Sequence, residues 1–130
     1  MHPTTNRAAL SGLAALAAVA ISVGLLLAST VPNLVFSDNL IVDTVVRKIG
    51  HFVAFGALAF AGCLGLHHVL PARRAAQVVV LLAVAIALAD ELTQTRVVGR
   101  LASPIDVGID VAGAVTGAFL YRRRVEGAEA

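Results

Sequence analysis

Four stretches of this chain are almost free of charge. Residues 8–29 hold no charged side chain, 49–70 hold only His51, His67 and His68, and 75–92 stay apolar up to Asp90 and Glu91. Residues 104–121 carry Asp106 and Asp110 in their first two turns and are apolar thereafter. A helix that crosses a bilayer needs about 20 predominantly apolar residues, so the pattern predicts four spans. All four prolines, Pro3, Pro32, Pro71 and Pro104, fall outside the apolar interiors, as uninterrupted helices require. Ser103-Pro104-Ile105-Asp106 reads as a helix start, with Ser103 as N-cap, Pro104 in the first turn and Asp106 three residues past the cap. Between the first two spans, Asn39, Asp43 and Arg47 recur every fourth residue, which predicts a short interfacial amphipathic helix over 37–47. The first apolar run is longer than the core of a secretory signal, and Ala28-Ser29-Thr30 is a poor cleavage site, so it is read as a span. The expected fold is an all-α, polytopic membrane domain over residues 1–130.

Composition strengthens this picture. Hydrophobic residues make up 58% of the chain and charged residues 14%, with a mean hydropathy of +0.88, which excludes an ordinary soluble enzyme. A net charge of +2 and scattered aromatics argue against a nucleic-acid surface. The lone Cys63 has no intramolecular disulfide partner and reads as a packing residue. Four spans put Arg7, Arg73, Arg74 and Arg122 to Arg124 on one side, against Arg47, Lys48, Arg96 and Arg100 on the other. The larger cluster marks the cytoplasmic side, so both termini are expected in the cytoplasm. The polar residues of the second, third and fourth spans then gather at the extracytoplasmic face.

Helical spacing aligns Lys48, His51 and Phe55 along one stripe of the second span. In the fourth, Asp106, Asp110, Gly113 and Gly117 form a stripe in which two carboxylates stand above a small-residue seam suited to close helix packing. Glu91 and Gln94 share a face at the end of the third, followed by Arg100 in the loop. Charges inside a span cost about 2.5–3.5 kcal/mol each on insertion scales and therefore turn inward and pair. Lys48, His51, Phe55, Glu91, Gln94, Arg100, Asp106 and Asp110 are accordingly the expected lining of a polar pocket. Asp90 is expected toward solvent or headgroups, and His67 and His68 are expected to snorkel at the opposite interface.

The ordered set Lys48-x-x-His51-Phe52-x-x-Phe55, Glu91-x-x-Gln94 and Arg100-x-x-Ser103-x-x-Asp106-x-x-x-Asp110-x-x-Gly113-x-x-x-Gly117 resembles the VanZ-like family of small integral membrane proteins, over roughly residues 44–122. The resemblance implies a membrane protein of four or five helices, associated in some members with resistance to the glycopeptide teicoplanin, without implying a defined reaction. The chain departs from the usual pattern where Phe55 replaces a tyrosine and Asp110 an asparagine. The pocket is expected to bind an anionic or lipid-linked envelope component, such as a lipid phosphate or lipid-linked glycan, with Lys48 and Arg100 on the anion. Two alternatives stand beside it. One is an envelope-lipid hydrolase or transferase with a divalent cation on His51, Glu91, Asp106 and Asp110. The other is a scaffold, open to homo-oligomerisation, whose charges only hold the helices in register.

Overall fold

The computed structural model describes residues 3–31, 36–97 and 103–128. Its four helices are α1 (Pro3–Ser29), α2 (Leu40–Leu66), α3 (Ala72–Gln94) and α4 (Pro104–Glu126). All four are long and apolar enough to cross a membrane, and the protein is a multi-pass helical membrane protein. Among the described residues there is no strand.

The predicted interfacial helix over 37–47 is not a separate element. Asn39 caps α2 itself, its Oδ1 accepting from the backbone N–H groups of Ile41 at 3.0 Å and Val42 at 3.3 Å, and the helix then runs on without a break. No glycine or proline interrupts residues 40–49, so helix hydrogen bonding continues through the amphipathic stretch. At 1.5 Å per residue the 27 residues of α2 span about 40 Å, some 10 Å more than the hydrocarbon core. The first two turns thus carry the predicted interfacial character as an extension of a span. Asp43, buried there, accepts from the Phe36 N–H at 2.7 Å and from Arg47.

Helix α2 packs against all three others, and α3 bridges α1 and α4. The core is built from Phe55, Leu58, Ala59 and Cys63 of α2, Val79, Ala83 and Ala87 of α3, and Ala114, Ala118 and Tyr121 of α4. Most are small, which lets the backbones approach closely and replaces the hydrophobic drive that lipid does not supply between helices. Helix α1 stands at the periphery, with Leu13 and Leu16 facing outward and Ala15 pressed against Gly65.

Helices α2 and α4 both start at the same end of the bundle and run parallel. Their crossing is set by glycine: a Cβ on Gly113 would meet the Phe52 carbonyl carbon at 3.0 Å, and one on Gly117 the Gly56 carbonyl carbon at 2.8 Å, with the oxygens closer still. The predicted Gly113/Gly117 seam is therefore the α2–α4 contact surface, and Gly56 completes it from the facing helix.

Candidate functional site

The parallel pairing of α2 and α4 turns two sequence stripes into rungs. Nearest the helix starts, the Lys48 ammonium pairs with the Asp106 carboxylate, both side chains 37% exposed. One turn deeper, His51 Nδ1 lies 3.2 Å from Asp110 Oδ1, with Asp110 only 1% exposed. Below that come Phe55, fully buried and roughly parallel to the His51 ring at 6.4 Å between centroids, and then the glycine crossing. Phe55 therefore supplies an apolar support for the imidazole, with no polar group of its own to offer a ligand.

Helix α3 ends against these rungs. Asp90, expected at the headgroups, is instead fully buried. Its carboxylate accepts from the Ser29 hydroxyl at the end of α1 and from Gln94 Nε2 at 2.9 Å. Ligand atoms of His51, Asp90 and Asp110 all lie within 4.8 Å of one another. The signal for Asp90 was present in the sequence: Ala76, Val79, Ala83, Ala87, Asp90 and Gln94 succeed each other at spacings of three and four, so Asp90 sits on the stripe that packs inward.

Glu91 is buried too, but on another errand. Its Oε2 accepts the backbone N–H of Ser103 at 2.6 Å, tying the end of α3 to the start of α4. Ser103 occupies the N-cap position of α4 but makes no side-chain cap bond, and Asp106 faces Lys48, so the capping box expected from Ser103 and Asp106 does not form. A carboxylate from a neighbouring helix does part of that work. Gln94 reaches the cluster through Asp90, and Arg100 lies outside the described residues.

His67, expected to snorkel, has its Nδ1 2.9 Å from the hydroxyl of the buried Tyr121 at the opposite end of the bundle. It is remote from the cluster and fastens α2 to α4 there.

The chemistry of the deep cluster follows from charge balance. Asp90 and Asp110 lie about 6 and 9 Å inside the ends of α3 and α4, counted at 1.5 Å per residue. Among the described residues, the ion pairs made by Lys and Arg are Arg47–Asp43, Lys48–Asp106 and Arg122–Glu126. Counted over the described residues, two buried carboxylates and one imidazole thus carry surplus negative charge, which a proton or a cation among them would balance. Ligand atoms that share one ion at about 2.0–2.4 Å must fall within roughly 4–5 Å of each other, and this trio does. The arrangement can hold a proton, pass one between His51 and Asp110, or ligate a divalent cation.

The family model described as VanZ/LLP1 matches residues 6–125. No curated protein and no solved structure matches the chain.

Proposed function

The chain belongs to the VanZ/LLP1 family, and from that premise we propose that its polar helix end binds the anionic head of a lipid-linked component of the bacterial envelope. Lipid phosphates and lipid-linked glycans are the ligand class. The observation that carries this reading is the convergence of α2, α3 and α4 on the His51–Asp90–Asp110 cluster, its two carboxylates buried and its imidazole partly exposed, with the half-exposed Lys48–Asp106 pair one turn nearer the helix starts. An exposed ion pair contributes at most about 1 kcal/mol, so Lys48 can exchange Asp106 for a phosphate oxygen at little cost. Arg100 is the second cation of the reading, and the His51–Asp90–Asp110 trio beneath takes up or releases the proton that accompanies the exchange. In the bacterial cytoplasmic membrane, with both termini cytoplasmic, this end faces outward, where altered handling of an envelope lipid would change glycopeptide susceptibility indirectly.

The test is native mass spectrometry of detergent-purified wild type, Lys48→Ala and Asp110→Asn proteins incubated with undecaprenyl phosphate. Retention by wild type and loss in Lys48→Ala is the expected result. Equal retention by both overturns it.

A second reading is favoured by the geometry of the trio: a metal-dependent hydrolase or transferase acting on the same lipid class, its ion held by His51, Asp90 and Asp110. The ligand set expected from the sequence changes accordingly, since Asp106 is engaged by Lys48 and Glu91 by the Ser103 amide. Stoichiometric metal in purified wild type, lost in Asp90→Asn and accompanied by chelator-sensitive phosphate release, distinguishes it from binding alone.

A further inference from the structure

At the opposite end of the bundle, residues of the first half of α3 and the last half of α4 line an open groove of about 890 Å³. Its deeper walls are apolar, with Leu81 of α3 and Val115 and Phe119 of α4 all more than half exposed or close to it. Its lip is basic, formed by Arg73 and Arg74 of α3 and Arg122 of α4. No carboxylate lines it. Glu126 pairs with Arg122 Nη2 at 2.8 Å from one turn further out, whereas Arg122 Nε is buried without a hydrogen-bond partner. A buried N–H without an acceptor is uncommon in folded proteins, where most such groups are paired.

The two helices set the depth. Phe119 and Val115 stand three and seven residues before Arg122, and Leu81 eight residues after Arg73, so the groove runs about 10–12 Å from its lip toward the bilayer centre. One hydrocarbon leaflet is about 15 Å deep. The groove therefore follows most of one leaflet, with cations at headgroup level and apolar side chains at acyl level. A basic pocket between spans has the chemistry that selects an anionic headgroup over a zwitterionic one.

We propose that this α3–α4 groove is a binding site for an anionic diacyl phospholipid, with its phosphate on Arg73, Arg74 and Arg122 and one acyl chain along Val115 and Phe119. Arg123 lies over the Phe119 ring at 5.2 Å from its centroid, which holds the aromatic wall of the groove in place beneath the headgroup. The site is separate from the polar end and does not rest on the function proposed for it.

The experiment is native mass spectrometry of the full chain released from micelles doped equally with phosphatidylglycerol and phosphatidylcholine. Wild type retains phosphatidylglycerol preferentially. Each arginine near an anionic headgroup is worth roughly a factor of five, so Arg73→Gln/Arg74→Gln/Arg122→Gln lowers that retention by about a hundredfold. Arg96→Gln, which removes a cation from the other end, leaves it unchanged. Val115→Trp, on the lipid-facing wall, fills the groove with the arginines intact and reduces retention as well; it decides the matter should the triple variant fail to fold. Equal retention of the two lipids by wild type overturns the proposal. So does undiminished phosphatidylglycerol in a folded triple variant or in Val115→Trp, or a wild-type dimer whose second copy fills the groove and excludes lipid.

Discussion

Substituting Gly117 by alanine tests whether the glycine crossing positions the polar cluster. The added methyl carbon would lie 2.8 Å from the Gly56 carbonyl carbon and nearer its oxygen, whereas carbon atoms in contact settle at about 3.5–4.0 Å. Both partners are helix backbone and have no rotamer to change, so α2 and α4 must separate by about 1 Å. His51 and Asp110 sit on these same two helices with 3.2 Å between their bonded atoms. Adding about 1 Å takes that contact beyond hydrogen-bonding distance. Overpacking of this kind costs about 1–3 kcal/mol, and the lost bond about 1 kcal/mol more. Gly24, with nothing within 4 Å of its missing Cβ, is the control: Gly24→Ala is neutral or gains up to about 1 kcal/mol of helix propensity. Gly56→Ala, whose Cβ would meet the Gly113 carbonyl oxygen at 3.3 Å, falls between them. Helicity followed through SDS titration of the micellar protein ranks the three, and the side-chain nitrogen signals of His51 report the cluster directly. Gly117→Ala unfolding together with Gly24→Ala, with the His51 signals unmoved, would refute the argument.

Two other substitutions separate the structural roles at either end. Asp90→Ala removes the acceptor of both Ser29 and Gln94 and lowers stability by about 1–3 kcal/mol, while Asp90→Asn recovers much of it; an unchanged SDS midpoint in Asp90→Ala would return Asp90 to the headgroups. Tyr121→Phe breaks the link to His67 and costs about 1 kcal/mol, read as faster amide exchange at the last turns of α2 and α4, and wild-type exchange there would show the bond to be unimportant.

The parts of this molecule that were legible in its sequence are those governed by local physics. Apolar run length fixes where a chain can span a bilayer, and proline placement fixes where a span can end, so all four helices follow from the pattern. The two stripes were legible as well, because Lys48/His51 and Asp106/Asp110 are each spaced to share a helical face, but spacing alone left open which cation meets which carboxylate and which helix the Gly113/Gly117 seam packs on. What escaped depends on a competitor from another element. Ser103 and Asp106 carry the letters of a capping box, yet Glu91 is already bonded to the Ser103 amide and Lys48 to Asp106, and neither is visible from the fourth helix alone. Asp90 and Glu91 are adjacent and differ by about 100° around α3, so reading one as inward sent the other outward. Both are buried because α3 packs against α4 on one side and reaches α2 and α1 on the other, a helix enclosed over a wider arc than its single polar stripe suggests. The decisive clue for Asp90 was therefore the alanine stripe below it, not its own charge: in a bundle held by small residues, the position that continues the small-residue face is the one that enters the core, whatever its side chain must then find as a partner.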